Sequence, residues 1–247
     1  MSPKTIVITG ASSGIGAALA ELLASQGHSL VLVARREPEL HAVAARCGPL
    51  ALPVVADVTS RDDVQRVVRS AIERFDHIDV WVNNAGRGMT RMPSELTDDD
   101  IDEMMRVNVK SALYGMQEVL PHFKERGTGH VINVSSMLGR IHIAPFRSAY
   151  SGAKHFLSSL TADMRADVQG THPGIQISLF SPGVVQTEFG VNATHGGPDS
   201  RTLPNSQPAE DVAAVIAQMI GTRKADAYSR PGAVQMVLKY FTALDEA

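Results

Sequence analysis

Thr5-Ile6-Val7-Ile8-Thr9-Gly10-Ala11-Ser12-Ser13-Gly14-Ile15-Gly16 joins a strand, a glycine turn and the start of a helix. Thr5–Thr9 is a β-branched, apolar run that predicts a buried strand. Residues 17–25 follow with a helical pattern. Gly10 permits the tight turn, Gly14 lets a phosphate come close to the backbone, and Gly16 lets the helix pack on the strand. The helix then turns free N–H groups and its positive dipole end toward a pyrophosphate. Ser12, Ser13 and Ile15 complete the predicted cradle.

The glycine spacing is Gly-x-x-x-Gly-x-Gly, not the commoner Gly-x-Gly-x-x-Gly. The strand before it and the helix after it argue against a turn without a ligand. Residues 29–34 predict a second strand that ends in Arg35-Arg36. In a dinucleotide fold this strand end meets the adenosine ribose. A carboxylate there suits a free 2′-hydroxyl and an arginine suits a 2′-phosphate. Two arginines therefore predict NADP(H) in preference to NAD(H); the plainer reading is a solvated basic pair opening a helix at 39–46. Residues 51–56 form a third strand ending in Asp57-Val58. Asp57 either accepts from an adenine amino group, with Val58 packed on the ring, or caps the helix that runs to residue 75. Residues 78–82 are a fourth strand, followed by Asn83-Asn84-Ala85-Gly86, which suits a crevice wall beside a cofactor.

Thr97 and three aspartates predict a capped helix start, not a metal site. The helix is expected to run to about residue 126, with more apolar surface than one sheet face needs, so part of it could meet another subunit. Asn108 lies inside it, where asparagine is a poor helix former. Either it is a solvated polar residue or it marks a distortion that holds a water near Lys154. Residues 130–134 form a fifth strand that delivers Ser135-Ser136, and residues 150–168 a helix. A sixth strand, 176–181, ends in Pro182-Gly183-Val184-Val185-Gln186-Thr187. Residues 188–207 read as a mobile lid or substrate loop. A helix at 208–220, a last strand at 225–229 and a helix at 234–244 complete one expected domain spanning 1–247.

Tyr150 and Lys154 are four residues apart, so they share a helix face if Ser148 caps that helix. A lysine beside a phenol favours the phenolate. Moving a phenol from a pKa of about 10 to about 7 takes roughly 4 kcal/mol, and a cation at about 4 Å supplies that order of energy near a surface. The pair predicts a general acid/base usable near neutral pH, with Ser136 holding the substrate oxygen.

The chain has 247 residues, 44% of them hydrophobic, and a net charge of −3 from 23 basic and 26 acidic side chains. That balance gives no general attraction to nucleic acid or anionic membrane. Cys47 is the only cysteine and reads as a packing residue. It forbids an intrachain disulfide, which with no visible signal segment points to the cytoplasm. No apolar run is long enough to span a bilayer.

Taken together, these motifs resemble the short-chain dehydrogenase/reductase family. The resemblance rests on the glycine turn after Thr9, Asp57, Asn83-Asn84-Ala85-Gly86, Asn108, Ser136, Tyr150 with Lys154, and Pro182-Gly183 with Thr187. It implies a Rossmann-like, doubly wound parallel sheet of about seven strands with helices on both faces. It also implies a catalytic set in which Tyr150 is the acid/base and Ser136 anchors the carbonyl. Lys154 would tune the tyrosine and hold the ribose, and Asn108 would hold a relay water. Cofactor contacts are implied for Gly10, Ser12, Ser13, Gly14, Ile15, Gly16, Asp57, Val58, Asn84, Ala85, Gly86, Pro182, Gly183, Val185 and Thr187, and a homodimer or homotetramer for the assembly. The segment between Ser136 and Tyr150 is one residue longer than is usual in the family. We place the extra residue between 141 and 145 and keep Ser136, with Ser135 as the fallback. Met89, Met137, Ile143, Phe146 and Phe189 suggest an apolar substrate body. The expected reaction interconverts a ketone or aldehyde and an alcohol. The alternatives are an epimerase or dehydratase on the same scaffold, or a cofactor-binding regulatory protein.

Overall fold

The computed structural model describes residues 2–245. The elements alternate: β1 Thr5–Thr9, α1 Gly14–Ser25, β2 Ser29–Ala34, α2 Glu37–Cys47, β3 Ala51–Val55, α3 Arg61–Phe75, β4 Val80–Asn83, α4 Asp98–Met105, α5 Ser111–Arg126, β5 Gly129–Val134, α6 Ser148–Gln169, β6 Ile175–Ser181, α7 Ala209–Thr222, β7 Asp226–Tyr228 and α8 Ala233–Asp245. The seven strands form one sheet in the order β3-β2-β1-β4-β5-β6-β7, and every pairing is parallel. This is the Rossmann-like α/β architecture expected from the strand ends.

Alternation along the strands fixes the two cores. Ile6, Ile8, Leu30 and Leu32 face α1 and α7, where Leu19, Leu23 and Ile216 cover them. Val7, Val31, Trp81 and Val131 face the other way, against Val64, Phe123 and Val168 of α3, α5 and α6. Both faces are buried, which is why the strands read as unbroken apolar runs. A buried polar chain crosses the second layer. Trp81 donates to Asn83, Asn83 to Asn133 and Asn133 to Thr161, at 2.7, 2.8 and 2.9 Å. With its partners satisfied, the chain fixes the register of β4, β5 and α6.

The order reverses between β1 and β4, so a crevice opens outside their carboxyl ends. There Gly10 has a φ of +67°, which favours glycine, and a Cβ on it would lie 2.9 Å from the Ala85 backbone. A Cβ on Gly16 would fall 2.3 Å from the Gly10 carbonyl oxygen, so α1 packs as closely as the spacing predicted.

Two expectations need correction. The predicted helix over 97–126 is interrupted: α4 gives way to a π turn at Arg106–Lys110 before α5 begins. Asn108 sits in that turn, where a competing side-chain amide distorts the ladder. The Ser148 cap is also absent. The helix begins at Ser148 itself, after Arg147, and among the described residues the Ser148 hydroxyl has no hydrogen-bond partner.

Candidate active site

The glycine turn is braced from below. Asn84 Nδ2 donates to the Thr9 and Gly10 carbonyl oxygens at 2.9 and 3.3 Å. The Thr9 hydroxyl accepts from the backbone N–H groups of Asn84 and Ala85, both at 3.0 Å. The Asn84 amide therefore shapes the turn rather than pointing into the crevice. The turn ends at Ser13, which precedes α1 in extended backbone and makes no side-chain cap. The first amides of α1 are left for an anionic partner. Arg36 reaches over this turn and donates to the Ser12 and Ser13 hydroxyls at 3.1 and 2.8 Å. Arg35 is exposed and lies 3.9 Å from Asp57.

Asp57 takes the turn role that sequence left open. Its Oδ1 accepts from the Thr59 backbone N–H and hydroxyl at 2.9 Å each, while Ser60 caps α3. Thr187 lies at the opposite side of the turn, its methyl 3.0 Å from where a Cβ on Gly14 would sit. Val185 is buried, and the Gly183 N–H donates to Ser229 at 3.1 Å. An uncapped helix start with Arg36 over its turn offers donors to an anion, which suits the phosphates of a dinucleotide.

Asn108, Lys154 and Gly86 meet at the next strand end. A Cβ on Gly86 would lie 2.9 Å from Asn108 Oδ1 and 3.5 Å from Lys154 Nζ. Asn108 Oδ1 accepts from the Arg87 N–H at 3.1 Å and its Nδ2 donates to the Arg87 carbonyl at 3.0 Å. Lys154 is buried and its Nζ donates to the Val134 carbonyl at 2.9 Å. It lies 5.7 Å from the centre of the Tyr150 ring.

The two serines separate cleanly. The Ser135 hydroxyl donates to the Lys154 carbonyl at 3.1 Å and meets Ser158, so it belongs to α6. The Ser136 hydroxyl accepts from the Leu138 N–H at 3.1 Å and neighbours the Tyr150 hydroxyl, which it draws toward ionisation. Burial works the other way and dominates. It pushes Tyr150 up to about 12, with Ser136 and Arg147 opposing it, and pushes Lys154 down to about 8. The expected fall of Tyr150 toward neutrality is thus corrected for the chain alone, because desolvation outweighs the neighbouring charges.

The segment after β6 packs beside Tyr150. Residues 188–207 contain no helix, and Thr194 pairs with Met89 in a parallel bridge. His195 meets Asp100 at 2.8 Å, and Arg91 donates to the same carboxylate at 2.8 Å. These bonds, with the Thr97 N–H, hold Asp100 well below the usual carboxylate range. Phe189 lies edge-on to Tyr150 at 5.6 Å between ring centres. Of the other apolar residues expected at a pocket, Met89 is buried, whereas Ile143 and Phe146 are exposed. His142 stacks on His155, the residue after Lys154 on α6, at 4.4 Å. Sequence reasoning missed Arg147 and the His195–Asp100 contact, because each depends on residues far apart in the chain. Cys47 is half-buried and its thiol is pushed up to about 11 by burial, as a packing residue should be.

Comparison with known proteins agrees with this geometry. Residues 4–196 match the short chain dehydrogenase family. An uncharacterised oxidoreductase of Staphylococcus epidermidis is 34% identical over 184 residues, covering 74% of this chain and 79% of that protein. A short-chain dehydrogenase/reductase from Burkholderia phymatum, solved in complex with NAD, superposes with a TM-score of 0.87 at 26% identity, over 95% of this chain and 92% of that one. An alcohol dehydrogenase from Thermococcus sibiricus, complexed with 5-hydroxy-NADP, gives 0.80 at 26%, over 92% and 96%.

Proposed function

Because the chain belongs to the short chain dehydrogenase family and is an oxidoreductase, we propose that it is a single-domain, NADP(H)-dependent enzyme that interconverts a carbonyl compound and an alcohol. When bound, a dihydronicotinamide would supply the hydride. The observation that carries the reading is the convergence of Ser136, Tyr150, Lys154 and Asn108 near the glycine turn and the uncapped start of α1. In the reductive direction Ser136 positions the carbonyl oxygen and Tyr150 donates its proton to it. Lys154 is the adjacent cation and Asn108 anchors the relay end of the site. Burial keeps Tyr150 protonated across the neutral range, which suits a general acid.

The preference for NADP(H) rests on Arg36, clamped over Ser12 and Ser13, with Arg35 beside it. The substrate body is apolar where it meets Met89 and Phe189. Exposed Ile101 on α4 and Phe156 on α6, 43% and 50% accessible, support a homodimer or homotetramer built on those helices. The single half-buried thiol supports a cytoplasmic location. Among the described residues no helix is long and apolar enough to cross a membrane. The test is consumption of NADPH and of NADH against a panel of ketones and aldehydes. Turnover with NADPH and a weak response to NADH is expected. Equal use of both cofactors would remove the NADP reading, and no turnover across the panel with the cofactor bound would count against the reaction.

A further inference from the structure

Glu103 has no part in the proposed chemistry, yet its carboxylate joins three segments of the site. It lies near the end of α4, one turn after Asp100, so the two carboxylates share a helix face. Asp100 holds His195, and Glu103 holds the residue before it. The Thr194 hydroxyl donates to the Glu103 carboxylate and lies 3.2 Å from each of its oxygens. From the other side Arg87 Nη1 donates to Glu103 Oε1 at 3.3 Å. Glu103 is half-buried, so these charge-assisted bonds are partly shielded from water. The side chain therefore clamps the segment after β6 to the segment after β4.

The same two segments are also joined through their backbones. The Thr194 N–H donates to the Gly88 carbonyl at 2.9 Å, and the Thr90 N–H donates to the Thr194 carbonyl at 3.0 Å. Arg87, next to Gly88, is the residue whose N–H and carbonyl hold the Asn108 amide at 3.1 and 3.0 Å. Asn108 Nδ2 also donates to the carbonyl of Met104, the residue after Glu103, at 3.3 Å. The contacts thus close a circuit from Glu103 through Thr194, Gly88, Arg87 and Asn108 back to α4. Phe189, edge-on to Tyr150, belongs to the same segment as Thr194. We propose that Glu103 is a positioning residue that makes the seating of this segment beside Tyr150 and the alignment of Asn108 one event. This rests on the reaction proposed above and couples its substrate side to its proton path. Asp100 serves as the control. It pins the same segment through His195, but its partners are Arg91, Thr97 and His195, and none of them holds Asn108.

The test has two readouts on the full chain. One is NADPH consumption with a ketone that wild type reduces. The other is amide hydrogen exchange of the protein alone, read by mass spectrometry. Glu103→Ala should raise KM several-fold and also lower kcat by about 3–10-fold, the scale of a partly shielded charge-assisted bond. Asp100→Asn should raise KM and leave kcat in place. With Asn108→Ala already present, Glu103→Ala should lower kcat no further, because its effect on the proton path runs through Asn108. In exchange, Glu103→Ala should speed the amides of Arg87 and Thr194 together. Thr194→Val keeps the backbone bridge and should move both readouts the same way by less. A Glu103→Ala protein changed in KM alone overturns the proposal. So do kcat losses that multiply in the double variant, and so does faster exchange confined to residues 188–197. If no ketone is reduced, joint loss of protection at Arg87 and Thr194 supports the coupling and counts against the hydride-transfer reading. Normal turnover without that joint change overturns the coupling and leaves the reaction standing.

Discussion

Tyr150 and Lys154 carry opposite burial costs at one site. Water is removed from both, so the phenol is held neutral and the ammonium is strained toward its neutral form. The spacing of the pair was legible because the chemistry demands those residue types on one helix face. Their pKa directions were not, because burial is set by Phe189 and the strand ends rather than by local sequence. The sign for Lys154 follows from its lowered value. Between about 8 and 10.5 the folded chain binds fewer protons than the unfolded one. The stability penalty is therefore full below pH 8 and disappears as pH rises through the unfolded value. Lys154→Met should raise stability at pH 7 by about 1–2 kcal/mol, after subtracting the lost bond to Val134, while impairing turnover. Thermal unfolding at pH 7 and pH 10 checks this, and a variant less stable at pH 7 contradicts it. The rate of reduction should fall above about pH 8 as Lys154 loses its charge. A profile flat to pH 10 would deny Lys154 that role. At the cradle, Arg36→Ala should weaken NADPH roughly tenfold relative to NADH. Fluorescence titration of both cofactors measures the ratio, and no change would place the discrimination elsewhere.

At the scale of elements, α4 and α5 were read as one helix with a suspect asparagine. The suspicion was right about Asn108, and the π turn is the form that the distortion takes. The interruption lets Asn108 tie the turn to both backbone groups of Arg87, beside Gly86 and Lys154. On the proposed relay role, Asn108→Ala should lower kcat by about 10–100-fold with a smaller effect on KM. Equal loss in both parameters would mark it as a binding or folding residue. The segment at 188–207 was legible as a loop from its glycines and prolines. Its latch was not, because His195 and Asp100 are joined only through the fold. Asp100→Asn should loosen the segment, increasing proteolytic cleavage within it and raising KM several-fold. Unchanged cleavage would make that contact incidental.

For the whole molecule, topology was the most readable property. Each predicted strand ended in a turn of small or polar residues, and all those ends lie along one edge of the parallel sheet. Strand limits shifted by a residue or two, because pairing with a neighbour rather than hydropathy ends a ladder. What one chain cannot encode locally is its assembly. The exposed Ile101 and Phe156 predict a dimer or tetramer by light scattering, and Ile101→Glu with Phe156→Glu should shift it toward monomer. The proposed reaction depends on one proton donor, Tyr150. The most direct measurement is NADPH consumption by wild type and Tyr150→Phe side by side, with cofactor affinity determined for both. We predict that the variant binds NADPH normally and loses turnover by about 10²–10⁴-fold. Turnover that survives the loss of the hydroxyl would contradict it.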